Sequence, residues 1–211
     1  MNGIQRRSPV MFNALEKEVL DRDGWRVVKK YAGEGAAPYL VDLSHLPRWD
    51  LQDRDLTVYP PTGVTIPASI GECRIQETLV VNRMNRTQAN IWHLAPNSDV
   101  MPEEQSFTDI RENTACLAVL GSGSIALSEK VSRLDLADPV HRTPCLLQGP
   151  FARVPCQLVL LRNQNGREGF VFTFSRGYAG DVVDLLLFAG REHGLRPAGE
   201  DRMSDFINLR S

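Results

Sequence analysis

The chain is short of cysteine and histidine, has no long apolar run, and carries no surplus of either charge; each shortage closes off a class of function. Its four cysteines, at 73, 116, 145 and 156, show no CxxC spacing, which argues against a zinc ribbon, a dithiol redox motif or a disulfide scaffold. Cys116, Cys145 and Cys156 lie in apolar runs, where a free thiol behaves as a small hydrophobe. The four histidines, at 45, 93, 141 and 193, are not paired at metal-ligand spacing, so no metal is expected. No apolar stretch approaches the ~20 residues that cross a bilayer. The start, Met-Asn-Gly-Ile-Gln-Arg-Arg-Ser-Pro, has no apolar run behind it, unlike a secretory signal. With 24 Lys and Arg against 26 Asp and Glu, the net charge is -2, and no basic field gathers nucleic acid or an anionic membrane. A Gly-x-Ser-x-Gly elbow is missing, which removes the usual serine-hydrolase signal. A cytoplasmic protein with neither membrane nor nucleic acid as partner is expected.

What is present suits a folded α+β chain. Its 211 residues are 42% hydrophobic and 24% charged, enough for one globular unit or two small subdomains sharing a core. Residues 1–10 read as a loose tail. Residues 11–20 read as a short amphipathic helix with Phe12, Leu15, Val19 and Leu20 on one side, broken at Asp23-Gly24. Residues 25–31 are strand or helix, 39–46 a strand between Pro38 and Pro47, and 49–56 contain another. The stretch 57–71, with Pro60, Pro61, Gly63, Pro67 and Gly71, is a long loop, read as a docking surface because its prolines limit hinge freedom. Residues 78–83 and 89–94 form a hairpin.

The second half is more strongly patterned. Residues 107–111 are a strand, 115–120 a strand apolar on both faces, and 125–134 a helix with one apolar stripe. A short apolar segment follows within 144–155. Strands over 156–162 and 169–175 are joined by a turn at 163–168, with Phe170, Phe172 and Phe174 on one face. A helix over 178–193 ends at Gly194, and Pro197 prevents its continuation. Strand, helix, strand, strand, helix is most of a split β-α-β unit, the ferredoxin-like arrangement with an antiparallel sheet. The expected organisation is a first subdomain over 1–105 and a second, ferredoxin-like one over 106–211, forming one compact unit.

Few residues suggest chemistry on their own. Gly121-Ser-Gly-Ser124 lies between strand and helix, where backbone amides can cradle a phosphate, but it lacks the lysine and length of a Walker A loop and the third glycine of a dinucleotide fingerprint. Ser122 or Ser124 as a helix N-cap explains it as well. Glu77 precedes an apolar strand, with Arg74 and Arg83 as nearby salt partners, and a carboxylate there can accept hydrogen bonds from an amine or a flat heterocycle. Trp92 can stack on a flat ligand or fill a core.

Four blocks carry a resemblance. They are Leu40-Val-Asp-Leu-Ser-His-Leu46 with Asp50-Leu-Gln52, Thr78-Leu-Val-Val-Asn-Arg83, Cys116-Leu-Ala-Val-Leu-Gly121 through Leu134-Asp-Leu136, and the stretch from Gly166 to Gly199. In order and spacing they resemble the folate-binding region of the glycine-cleavage T-protein (aminomethyltransferase) family, and most closely the gamma subunit of heterotetrameric sarcosine oxidase. The resemblance implies a folate-binding aminomethyltransferase-type fold of ferredoxin-like halves around a cavity, without the family's C-terminal barrel. It implies a cofactor-binding set of Glu77, Arg83, Trp92 and Tyr178, with tetrahydrofolate as the cofactor and Glu77 as the catalytic residue if the chain is active.

The departures point away from activity. Glu77-Thr78 replaces the family's acidic pair, Trp92-His93 or their neighbours stand where it has an asparagine, and Val171 replaces the glutamate associated with the pterin. A site built for those polar edges loses roughly 1–3 kcal/mol for each partner left unpaired. The expected function is a non-catalytic or weakly ligand-binding subunit of a one-carbon or N-methyl-amine oxidising complex, packed on larger flavin-dependent subunits. The alternatives are a tetrahydrofolate-dependent aminomethyltransferase or methyltransferase, and a free-standing homo-oligomer with another ligand.

Overall fold

A computed structural model describes residues 5–96, 99–161 and 168–208. The chain begins with a hairpin of β1 (Glu16–Arg22) and β2 (Trp25–Tyr31). The helix expected over 11–20 is therefore replaced by a strand. The reason lies in Asp23-Gly24, which acts as a hairpin turn and not as a helix stop. Both residues take left-handed φ, 52° and 79°, the combination whose twist matches two antiparallel strands. Trp25 and Val27 then bury one edge of the hairpin.

Two larger sheets follow. The six-stranded sheet runs in the order β10 (Cys145–Phe151), β11 (Val154–Leu160), β12 (Gly169–Ser175), β9 (Thr114–Leu120), β3 (Tyr39–Asp42) and β13 (Arg196–Ala198). Only the β3–β13 pairing is parallel within it. The five-stranded sheet runs in the order β5 (Cys73–Gln76), β6 (Leu79–Arg83), β7 (Gln88–His93), β4 (Arg48–Gln52) and β8 (Phe107–Asp109), antiparallel throughout. The turn expected at 163–168 lies mostly outside the described residues, but β11 and β12 pair antiparallel as a hairpin requires. With three short α-helices beside these sheets among the described residues, the architecture is α+β with antiparallel sheets.

Period-two alternation sorts the side chains into layers. Phe170, Phe172 and Phe174 of β12, with Leu117 and Val119 of β9, face the helices α1 (Ser124–Val131) and α2 (Ala179–Ala189). Val171, Cys116 and Ala118 point the other way, into an apolar interlayer shared with Val80 and Trp92 of the five-stranded sheet. A third helix, α3 (Asp201–Asn208), adds Met203, Phe206 and Ile207 to that interlayer. Neither α3 nor β13 is anticipated from the sequence, although Met203, Phe206 and Ile207 stand at the i, i+3, i+4 spacing of a helix face.

The outer face of the five-stranded sheet carries Trp49, Leu51, Val81 and Ile91. Its cover is the long loop: Leu56, Val64 and Ile66 are 8% exposed or less and pack on that face. Two single 3-10 turns, Leu56–Val58 and Pro61–Gly63, hold the loop in place. The prolines thus fix a piece of core wall, a role the docking reading did not foresee.

Candidate functional site

The Asp42-Leu-Ser-His45 motif leaves β3 as a tight turn in which each polar side chain has a task. Asp42 Oδ1 accepts from Ser44 N at 2.9 Å and shapes the turn. Ser44 Oγ accepts from Cys116 N at 3.1 Å and ties the turn to β9. Arg48, 1% exposed, reaches back with its guanidinium to the carbonyls of Leu43, Ser44 and Leu46 and across to those of Arg111 and Thr114, all between 3.0 and 3.2 Å.

His45 reaches Glu200, with Nε2 2.7 Å from Oε1. The same carboxylate takes a forked pair of bonds from Arg22, Nη1 to Oε1 at 2.5 Å and Nη2 to Oε2 at 2.9 Å. Glu200 is 3% exposed. Burial alone would raise its carboxyl pKa, but the hydrogen bonds and charges of His45 and Arg22 together outweigh that and hold it at about 2. Glu34, also buried, accepts from Tyr31 N, Gly199 N and Arg202 Nε and is held below its usual range against the same burial cost. The Arg-Pro-Ala-Gly199-Glu stretch is therefore a seam. Glu200 N donates to Val28 O at 3.0 Å, and two buried carboxylates bind the hairpin to β13 and α3.

Because the folded pKa of Glu200 is depressed, its stabilisation is present above the model-compound value of 4.5 and is lost as pH falls from 4.5 toward 2. The shift corresponds to a contribution on the order of 3 kcal/mol. Urea unfolding at pH 7 is expected to separate wild type from Glu200→Gln by most of that amount. At pH 3 the two curves should draw together; a gap unchanged with pH would contradict the assignment.

The Gly-Ser-Gly-Ser stretch is already satisfied from within the chain. Glu168 Oε2 accepts from Gly123 N at 3.1 Å and Ile125 N at 3.3 Å. The N-cap of α1 is Gly123, at φ 89° and without a side-chain cap bond. Neither a phosphate cradle nor a serine cap describes it: a carboxylate beside β12 occupies the position where an anion would sit.

The residues implied as cofactor-binding lie in four different settings. Glu77 is exposed at the tip of the β5–β6 hairpin, at φ 53°. Arg83 stands at the opposite end of β6, and its Nη2 donates to Arg86 O at 2.7 Å. Trp92 is 0% exposed and packed in the interlayer. Tyr178, 49% exposed, precedes α2 on the far side of the six-stranded sheet. Beside Trp92, His93 meets the Trp49 ring edge-on at 4.7 Å, and burial lowers its pKa to about 4. Val171 is 0% exposed and faces the same apolar interlayer.

That interlayer turns polar at one end. Asp50 accepts from Asn90, Gln88 and Gln52, and Asn82 lies opposite Asn90 across the β6–β7 pairing. All four cysteines are free, and burial raises each thiol, Cys73 and Cys156 to about 12 and Cys116 to about 11. Such thiols are poor nucleophiles and poor ligands. Among the described residues no group of three or more His, Cys, Asp or Glu is placed to hold a metal ion, and no helix is long and apolar enough to cross a membrane.

Sequence reasoning missed Arg22, Glu34, Arg48, Glu200 and Arg202. Arg48 had a readable signal: in a strand it shares a face with Asp50 and Gln52, while Trp49 and Leu51 point to the other. The remaining four carry none, because the ion pairs that join them, Arg22–Glu200 and Glu34–Arg202, span 178 and 168 residues of chain.

Two sheets with helices on one outer face define the fold class shared by aminomethyltransferases and a sarcosine oxidase chain. One chain of the heterotetrameric sarcosine oxidase from Corynebacterium sp. U-96, in complex with pyrrole 2-carboxylate, superposes with a TM-score of 0.61 at 16% identity, over 72% of this chain and 83% of that one. The glycine cleavage system aminomethyltransferase T from Bartonella henselae gives 0.58 at 16% identity, over 87% of this chain and 56% of that one. In sequence, the aminomethyltransferase of Saccharopolyspora erythraea is 24% identical over 225 residues, 92% of this chain but only 60% of the relative. No family model matches. The resemblance carried by the four sequence blocks thus meets both a sequence relative and solved structures.

Proposed function

We propose that the chain is a non-catalytic or weakly ligand-binding subunit of a one-carbon or N-methyl-amine oxidising assembly of the sarcosine oxidase kind, seated against larger flavin-dependent subunits. The observation that carries the reading is Val171. The resemblance pairs this position with a pterin-associated glutamate, and here it is a wholly buried valine among Val41, Val159 and Cys116. A pterin offers polar edges that such a surface leaves unpaired, at roughly 1–3 kcal/mol each. Glu77, the remaining carboxylate of that set, stands in solvent at a hairpin tip. In this reading residues 1–105 and 106–211 act as one unit, tied by β3 and β8, each of which pairs in the other half's sheet.

The likeness to a chain of a heterotetrameric enzyme supports a multi-subunit setting. The test is recovery from the native cell under gentle salt. The chain is expected to elute with a larger flavin-containing amine-oxidising polypeptide; recovery only as an isolated chain would count against the subunit role. A second reading, a tetrahydrofolate-dependent aminomethyltransferase with Glu77 holding the amine, is favoured by the name of the S. erythraea relative.

A further inference from the structure

An open cleft of about 580 Å3 runs across β9, β10, β11 and β12. Strand periodicity gives it a polar wall. Leu146, Val159 and Val171 face the interlayer, so Gln148, Gln157 and Thr173, two residues from each, share that face. The three are register partners, Gln148 with Gln157 and Gln157 with Thr173, and form one row across the strands. Asn113, Thr114 and Ser175 continue the wall on the β9 side. Gln148 Nε2 donates to Met84 O at 3.3 Å, which ties the cleft to the turn between β6 and β7. Glu77 precedes the other end of β6, so the cleft is separate from the carboxylate that the resemblance singles out.

The wall holds no charged side chain; its remaining members are Gly149, Pro155, Cys156 and Phe174. The nearest charges are engaged elsewhere. Arg48 lies behind Thr114, whose Oγ1 accepts from Arg48 Nε at 3.2 Å and donates to Ile110 O at 2.8 Å. Arg176, next to Ser175, donates to the carbonyls of Glu112 and Arg7. The neutral groups are free by contrast. Among the described residues the side chains of Gln157, Thr173, Ser175 and Asn113 have no hydrogen-bond partner, and Gln157 Oε1 is closed off from solvent as well. Thr173 is 5% exposed.

A buried acceptor without a partner is costly, and any ligand that supplies a donor relieves it. An ion entering here would give up its hydration with no opposite charge to meet it. A hydroxyl donates and accepts at once, which suits a wall of amides and hydroxyls. We propose that this cleft binds a neutral polyhydroxyl molecule, one hydroxyl donating to Gln157 Oε1 and others meeting Thr173, Ser175 and Asn113. The volume falls within the roughly 300–1,000 Å3 of small-molecule sites. The inference rests on this wall alone and not on the subunit role.

The test is NMR titration of the full chain with myo-inositol and with D-glucose, following backbone amides and side-chain NH2 groups. Sodium acetate and methylammonium chloride serve as charged controls. Saturable shifts confined to residues 113–114, 148–149, 155–157 and 173–175 are expected with at least one of the two neutral probes and with neither ion. Gln157→Met keeps the side-chain length and removes the amide, so it should weaken binding about tenfold. Its unfolding temperature should be unchanged or higher, because the free protein has no bond there to lose. Thr173→Val keeps the shape without the hydroxyl and should weaken binding by a smaller factor. Shifts that never saturate with either neutral probe, a preference for an ion, or an affinity unchanged in both variants would overturn the proposal. So would a lower unfolding temperature in Gln157→Met, since the amide would then be engaged already.

Discussion

Arg48→Met is expected to cost roughly 3–5 kcal/mol, the range for removing one member of a buried charged network, and to lower the unfolding temperature by roughly 10 °C. The guanidinium serves five carbonyls and the Thr114 hydroxyl. Methionine fills a similar volume but donates nothing, so those buried acceptors lose partners at once, each at about 1–3 kcal/mol before relaxation. No carboxylate neutralises Arg48 within ion-pair distance among the described residues; what holds the charge is the convergence of carbonyl dipoles from the turn after β3 and from the start of β9. Arg48→Lys should recover less than half the loss, because an ammonium has three donors where the planar fork has five. Urea unfolding of the three proteins measures this. A loss below about 1 kcal/mol for methionine would mean that the carbonyls find water instead.

Gly199→Ala should be nearly as damaging and more local. A Cβ built there would run into Lys29 O and Lys29 C. Both atoms are backbone, so no rotamer change relieves the contact and the hairpin must move away. The displacement breaks the bond from Gly199 N to Glu34 and that from Glu200 N to Val28 O, which adds lost hydrogen bonds to an overpacking cost of about 1–3 kcal/mol. The expected signature is loss of amide-exchange protection across β1 and β2 while β6 and β7 keep theirs. Uniform loss across the molecule would show that the seam is part of the global core; protection unchanged everywhere would contradict the close approach itself.

Local pattern made the second half of the fold legible. The Phe170, Phe172, Phe174 alternation placed β12 and its helix-facing side, whereas the helix expected to run on to Gly194 ends as α2 at Ala189, with Gly190 as its cap and a 3-10 turn, Arg191–His193, leading to the left-handed Gly194. The first half failed where two local signals competed. Phe12, Leu15 and Val19 suggested a helix face, yet the Asp23-Gly24 turn has its own hairpin preference and Trp25 supplies buried area that a lone helix lacks. The candidate site was less legible still, because its charges pair across the chain: nothing near Glu200 announces Arg22 or His45. The family blocks located the Asp42–His45 turn without stating its work, and the structure gives that work to a seam between hairpin and sheet. The long loop shows the same limit. Its prolines are visible in the sequence, whereas its use as a cover depends on Trp49, Leu51 and Ile91 presenting an apolar face that only the assembled sheet creates.

The aminomethyltransferase-type fold is retained here, and in the proposed reading the surface that would grip a pterin is apolar core. Calorimetric titration of the purified chain with 5-formyltetrahydrofolate tests it most directly. No saturable heat is expected up to millimolar ligand, and none should appear or vanish on Glu77→Ala. Saturable binding at micromolar concentration that disappears in Glu77→Ala would contradict it.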